Sequence, residues 1–448
     1  MSKITLTEIM LGAWKERSIA TCEERGIPQF ADGLKPVQRF LLCQGYKTAK
    51  NKFDKVAAIS GSLASLGYAH GEQSAAGALT SMGAYFSNNL PLFEGDGNFG
   101  NVLNPAPAAS RYIFAKLAPY IDLIFKDMEL APKNPDPEII PPLYYLPIIP
   151  LCLVNGIKGI ATGYAVDIPP HDPVSIIDEL IRYCDGKKPK GISPKYYFFG
   201  GDIQKDGDHY CLSAKVIQKS PIHFVVTELP PIFNTSASYE AFLRKLLDKG
   251  TIQSYENNSV DDKFSFDVWI KKGSRWSEED IIKNLKLTNN HTWNLTTIMP
   301  DGKLHVWSKE TGIDDIVREF YDFRIPFVQK RIAVKLGELC EQEAYLAGLI
   351  QFMEKVVSGK LKLKDMEEDA LRAILKEDYK IPDSYIEKVL NMPLRAFTAS
   401  RIADSKKKLE EVRELIKHYQ STTKEAEFKK DLEELKKAVK AYQKEMGM

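Results

Sequence analysis

At 448 residues the chain is too long for one hydrophobic core and calls for two to four domains, and 44% hydrophobic with 27% charged residues is an ordinary globular composition. Lys+Arg 61 against Asp+Glu 60 excludes a chain that is basic overall, so any nucleic-acid surface must be a local patch. Six scattered cysteines with no CxxC pair argue against a zinc site or a disulfide framework and for a reduced, cytoplasmic setting.

Residues 4 to 25 carry Ile4, Leu6, Ile9, Met10, Ala13 and Trp14 at helical spacing, an amphipathic arm of the kind that packs on a partner. No basic segment followed by an apolar run precedes it, so no signal peptide is expected. Asp32-Gly33 then makes a turn, and Pro36 falls in the first turn of a helix, where its missing N–H costs nothing. Between Arg25 and Lys55 seven basic side chains (Arg25, Lys35, Arg39, Lys47, Lys50, Lys52, Lys55) face only Asp32 and Asp54. This is the basic patch that the whole-chain balance hides, readable either as a solvated helix face or as a nucleic-acid contact.

Small residues dominate from Ile59 to Ala84, and a break at Gly67-Tyr68-Ala69-His70-Gly71 divides them into two helices, the second starting at Glu72. Small side chains on such a helix-turn-helix allow close approach to a duplex. His70 in the break reads equally as a structural histidine. A further segment passes through Gly95-Asp96-Gly97-Asn98-Phe99-Gly100 and ends at Ala108-Ala109-Ser110-Arg111-Tyr112. There a phenol and a guanidinium stand side by side, which suits a phosphodiester. A phenol attacks phosphorus only when neighbouring cations or a metal ease loss of its proton, and a planar guanidinium grips phosphate oxygens in a fork. Taken alone, an Arg-Tyr pair reads as a buried ring with a snorkelling neighbour.

The apolar run from Tyr144 to Val154 is too short, and too broken by Pro147 and Pro150, to span a bilayer. Asn155 to Gly163 is rich in glycine but matches no phosphate-binding loop, and a hairpin is expected. Residues 173 to 310 alternate strands such as Ile222–Val226 with helices such as Tyr239–Leu247, with no catalytic constellation. From Ile313 the pattern turns helical. Leu339, Leu346, Ile350, Met353 and Val357, and then Leu409, Val412, Ile416 and Tyr419, step at seam spacing, which predicts an antiparallel coiled coil with a small domain at its tip.

Six stretches in order, Asp32-Gly-Leu-Lys-Pro-Val-Gln-Arg39, His70-Gly71-Glu72, Gly97-Asn-Phe-Gly100, Ala108-Ala-Ser-Arg-Tyr112, Gly159-Ile-Ala-Thr-Gly163 and Ile168-Pro-Pro-His171, resemble the motifs of the DNA breakage-reunion subunit of type IIA DNA topoisomerases, bacteriophage members included. The resemblance covers nearly the whole chain and is weakest from 180 to 300 and at the coiled-coil tip. It implies an α+β multidomain chain in three parts: an N-terminal arm and winged-helix DNA-gate domain over 1–142, an α/β tower domain over 143–310, and over 311–448 a long antiparallel coiled coil with a small helical exit-gate domain for dimerisation. Tyr112 matches the nucleophile that becomes joined to the 5′ phosphate, and Arg111 matches its transition-state partner. Arg25, Lys35, Arg39 and His70 match positions that hold the scissile strand. Gln38 stands where relatives carry a histidine, and Ser74 is expected at DNA on the second helix. Ile160 matches the side chain that wedges between base pairs.

The acidic metal cluster and the ATP-binding loop of the family are missing from these motifs. Mg2+ and ATP are therefore expected on a partner subunit carrying the acidic domain and the ATPase, joined to a homodimer of this chain on double-stranded DNA. Gln73 and Gly77 replace the Ser and the acidic residue through which bacterial relatives hold fluoroquinolones. The activity implied is that of an ATP-dependent isomerase that relaxes and unlinks DNA without supercoiling it, since no wrapping domain follows the coiled coil before Met448. The rival reading is a DNA-bending clamp without chemistry.

Overall fold

The computed structural model describes residues 5–447 apart from 208, 231–234, 362–365 and 394–396. Two compact units emerge, one of Met1–Arg324 with Lys429–Met448 and one of Ile325–Phe428. Mixed helix and strand content fills the first, and helices fill the second.

The larger unit begins with a helical arm kinked at Gly12, whose Leu6, Leu11 and Trp14 are exposed. Pro36 opens the helix Pro36–Thr48 as its sequence position predicts, and Lys35 before it is extended. Helix Val56–Gly61 tightens into a 3-10 turn, Ser62–Leu66, and the second helix of the pair runs from Glu72 to Gly83. Leu41, Leu42, Val56, Ile59, Leu63 and Leu79 from these helices are buried together. They pack beside a three-stranded antiparallel sheet in which Phe114–Leu117 lies between Asp54–Lys55 and Phe93–Asp96. Alternation along the central strand buries Ile113, Ala115 and Leu117 and turns their neighbours outward. The run Tyr144–Val154 is core, with Tyr145, Leu146, Ile148, Ile149 and Leu151 through Val154 all buried.

The expected hairpin forms from Ile157–Ala161 and Tyr164–Ile168 as an isolated two-stranded sheet. Beyond the helix Pro173–Cys184 stand two larger sheets and a two-stranded one of Thr296–Ile298 with Leu304–Val306. One has three strands, with His209–Ser213 between Asp202–Asp206 and Thr288–His291. The other has four, in the order Ser254–Asn257, Phe266–Trp269, His223–Val226, Val216–Ser220. Helices Ser236–Asp248 and Glu278–Asn284 contribute Tyr239, Leu243 and Ile281 to the core beneath the four-stranded sheet, around Phe224 and Phe266.

The last helix, Lys424–Glu445, fastens its 429–445 portion onto this unit. Lys429 bonds Asp185 at 2.7 Å, Lys436 bonds Asp178, and Gln443 donates to Asp172 at 3.1 Å. One number rises as the other falls, so this helix runs antiparallel to Pro173–Cys184. On its other side Lys126 reaches Asp431 at 2.8 Å and Tyr442 meets Tyr120 edge to face. Arg324 is fully buried and paired with Asp127, with its Nε donating to Pro147 O at 2.9 Å.

In the smaller unit, Tyr345, Leu346, Leu349, Phe352 and Met353 of the helix Gly312–Val357 pack with Val412 and Ile416 of Ala399–Ser421. Arg413 pairs with Glu343 and Lys406 with Glu354, both at 2.8 Å, so these two helices are antiparallel. Helices Glu368–Glu377 and Asp383–Leu390 add Leu375, Ile386 and Val389 to the same core. Among the described residues no helix is long and apolar enough to cross a membrane.

Candidate functional site

Tyr112 sits in the turn that leads into the central strand of the three-stranded sheet. Ala57 N donates to Ser110 O at 3.1 Å and Val56 N to Ile113 O at 3.0 Å, so the loop takes up the first N–H groups of the helix Val56–Gly61 and is fixed by them. Behind it Gly100 has φ +87, and a Cβ there would lie 2.6 Å from Pro105 O, so only glycine lets the 97–100 loop close on the segment before Tyr112. Ile113 is buried, which turns Tyr112 outward with 64% of its surface exposed. Its hydroxyl has no hydrogen-bond partner among the described residues. The Arg111 guanidinium carbon lies 4.6 Å from the centre of the Tyr112 ring, a cation–π arrangement that puts positive charge beside the phenol.

A second cluster assembles three of the expected positions, Arg25, His70 and Ser74. Arg25 Nη2 lies 3.1 Å from His70 Nδ1. A guanidinium only donates, so Nδ1 is the acceptor, and the neutral ring carries its proton on Nε2. Tyr68 packs edge-on against His70 with centroids 5.4 Å apart and leans on Phe40 at 5.3 Å. Burial raises the Tyr68 phenol above its ordinary value, opposed by a hydrogen bond from Ser74 and the charge of Arg25. Ser74 thereby belongs to this cluster through Tyr68.

Beside it the hairpin approaches the Arg25 segment closely. A Cβ on Gly159 would fall 2.0 Å from Gly26 O and 3.0 Å from Lys35 Nζ. Lys35 Nζ donates to Lys158 O at 2.6 Å, and burial holds its ammonium below the usual lysine value. Near the hairpin tip Ile160 is 87% exposed, the most exposed of the large hydrophobic side chains among the described residues. An apolar side chain held out in this way gains nothing from the fold.

Two of the expected DNA contacts, Arg39 and Gln38, also make hydrogen bonds within the protein. Arg39 is held by the fully buried Asp32, with Nε–Oδ2 2.6 Å and Nη2–Leu34 O 2.8 Å. Asp32 also accepts from Leu34 N and Tyr145 N at 3.0 Å each, so Arg39 braces the turn. Gln38 Oε1 accepts from Lys35 N at 2.8 Å and caps the helix it sits in. No hydrogen bond, ion pair or ring contact among the described residues joins Arg111 and Tyr112 to Arg25 and His70.

Asp167 and His291 join the site without any signal in the sequence. Asp167, on the hairpin strand across from Lys158, receives His291 Nε2 at 2.8 Å and stands 3.6 Å from Lys158 Nζ. The two residues are 124 apart in sequence, and neither falls in a motif.

Among the described residues no group of three or more His, Cys, Asp or Glu side chains gathers to hold an ion.

Comparison with known proteins bears on this geometry. Residues 25–436 match the family of DNA gyrase/topoisomerase IV A-subunits. The DNA topoisomerase medium subunit of Enterobacteria phage T4 is 34% identical over 400 residues, 87% of this chain and 88% of that protein. The mitochondrial DNA topoisomerase 2 of Dictyostelium discoideum is 34% identical over 354 residues, which is 76% of this chain but 27% of that much longer protein. The solved DNA-binding, cleavage and re-ligation domain of Plasmodium falciparum topoisomerase II superposes with a TM-score of 0.84 at 26% identity, covering 97% of this chain and 64% of that one. With the motifs in order, the exposed Arg-Tyr pair and a fold shared over nearly its whole length, the chain belongs to the family of DNA gyrase/topoisomerase IV A-subunits, as a cleavage and religation subunit of the type II DNA topoisomerases.

Proposed function

We propose that two copies of this chain form a gate that cuts both strands of a duplex, holds the ends through two phosphotyrosines, passes a second duplex between them and reseals the break. The observation that carries this reading is Tyr112 itself, outward-facing, its hydroxyl uncommitted among the described residues and Arg111 against its ring. In each strand Tyr112 Oη attacks the phosphorus. The bond from phosphorus to the tyrosine oxygen forms as the bond to the leaving 3′ oxygen breaks, and the phenolic proton is lost while the 3′ oxygen gains one. One phosphodiester replaces another, so resealing is the same exchange in reverse and needs no ATP. Arg111 neutralises the charge that builds on the phosphorane oxygens. Arg25, His70 and Lys35 grip the strand beside the cut, with His70 Nε2 as a hydrogen-bond donor toward a phosphate oxygen. Ile160 enters the base stack and bends the duplex, a few kcal/mol of unstacking being offset by contacts along the bent DNA.

The partition that goes with this reading is a winged-helix gate over 1–142, a tower over 143–310, and a coiled coil with an exit gate over 311–448. Mg2+ and ATP sit on a partner chain with an acidic domain and an ATPase, and no step above is routed through either. A clamp without chemistry leaves the placement of Arg111 and Tyr112 without a use.

The deciding experiment is Tyr112→Phe, which removes one oxygen and almost no volume. DNA binding and its steep salt dependence should persist, while protein-linked breaks, trapped with detergent and scored as linear plasmid after protease digestion, should vanish. Breaks that survive the substitution would assign the nucleophile elsewhere.

A further inference from the structure

The geometry points to Asp167 and His291 as the positioning pair that sets the angle at which the Ile160 hairpin meets DNA, an inference that rests on the reading of Ile160 as the bending residue. An isolated two-stranded hairpin is marginal by itself, so its position is decided by what braces it. One brace is the close approach of Gly159 to Gly26, with Lys35 Nζ on Lys158 O. The other lies on the opposite strand. Asp167 N donates to Asn294 O at 2.8 Å, and the Asp167 carboxylate takes the hydrogen bond of His291 at 2.8 Å.

His291 is not part of the hairpin. It ends the strand Thr288–His291, paired with Tyr210 in the three-stranded sheet. A few residues on, Ile298 bonds Phe30 and Pro28 through backbone contacts of 2.7 and 2.9 Å. The segment from 291 to 298 therefore joins three bodies: the three-stranded sheet, the hairpin, and the turn from which Lys35 projects.

The carboxylate is where this joint is least redundant. Asp167 Oδ1 is buried with no hydrogen-bond partner, and Lys158 stands 3.6 Å from Oδ2, beyond hydrogen-bonding reach, so among the described residues His291 supplies the one close side-chain hydrogen bond to Asp167. Removing it leaves a mostly buried carboxylate undersatisfied. The strand relieves this by shifting until water reaches Asp167, and Ile160 travels with the strand. His291 and Asp167 are positioning residues in this account, because neither need touch the duplex.

The test uses the full chain and a duplex labelled at both ends for energy transfer, with bending read at saturating protein. His291→Ala should reduce the bent population about tenfold, close to the effect of Ile160→Ala. The double variant should be no worse than Ile160→Ala alone, since the pair acts only through that side chain. His291→Gln, which keeps an N–H donor, should restore most of the bend. Asp167→Leu, near in shape but with no acceptor, should bend as poorly as His291→Ala, and it keeps the test valid if the alanine variant fails to fold. Normal bending by His291→Ala and Asp167→Leu beside impaired Ile160→Ala would overturn the positioning role and leave the reading of Ile160 intact. Normal bending by Ile160→Ala would instead remove the reading on which the inference stands. Effects of Ile160→Ala and His291→Ala that multiply in the double variant would show His291 acting elsewhere.

Discussion

Gly159→Ala offers a sharp test of how the hairpin is seated. The position is extended and strained by no positive φ, so alanine is conformationally admissible and only its neighbours object. Its Cβ would lie 2.0 Å from Gly26 O, about 1.4 Å short of the 3.4 Å at which ordinary contact begins, and 3.0 Å from Lys35 Nζ. Both obstacles are close to fixed, since one is backbone and the other is bonded to Lys158 O. The hairpin or the Gly26 segment must move by more than 1 Å. Either movement reaches function, because Ile160 is the next residue on one side and Arg25, bonded to His70, precedes Gly26 on the other. Overpacking of this kind costs about 1–3 kcal/mol of stability, and a displacement near 1 Å at reacting groups costs on the order of 10²-fold in rate. Cleavage-complex formation should therefore fall by about that factor, with a modest loss in melting temperature. Gly337→Ala is the matched control: it is mid-helix, its added Cβ meets nothing within 4 Å, and it should stabilise by about 1 kcal/mol and leave cleavage alone. If Gly159→Ala cuts DNA at the wild-type rate, the close seating of hairpin on gate has no functional weight.

Arg111→Ala should leave the phenol in place and slow cleavage by about 10²–10³-fold, read as the single-turnover rate of adduct formation with DNA affinity changed far less. Lys35 is charged only below a value that burial has lowered, so affinity for DNA should weaken early on the alkaline side. Lys35→Arg, which keeps its charge, should flatten that loss in a binding titration across alkaline pH. His171 is fully buried, and desolvation lowers it from 6.5 to about 4, so the unfolded chain takes up a proton that the folded chain refuses. Stability should be lost as pH falls between those values, by roughly 3 kcal/mol, and His171→Asn should remove most of that slope in denaturant melts.

What could be read in the sequence was local. Pro36 marks the start of its helix, Gly67 to Gly71 separates the helix pair, and the glycines around Ile160 announce a turn, because each depends on a few adjacent residues. Arg111 and Tyr112 could be singled out because the motif around them is contiguous. The bonds of Arg39 to Asp32 and of Gln38 to Lys35 N could not be, since a basic or amide side chain at a helix start carries no sign of its partner within the fold. The hydrogen bond of Arg25 to His70 spans 45 residues, and that of His291 to Asp167 spans 124. Neither carries any periodic or compositional trace. The strands from 202 to 306 were legible only as a class, because their partners are chosen by packing across the sheet more than by propensity.

The ladder of Asp172, Asp178 and Asp185 with Gln443, Lys436 and Lys429 has a consequence for how the molecule is made. The larger unit is discontinuous in the chain: it is left at Arg324 and rejoined only at Lys429. On a ribosome, the acidic face of Pro173–Cys184 and the Tyr120 ring emerge hundreds of residues before the helix that covers them. Closing so long a loop is slow but adds little entropic cost per added residue. The nascent chain therefore carries that face bare while residues 325–428 are made, and the larger unit is completed only once the helix portion from Lys429 has emerged.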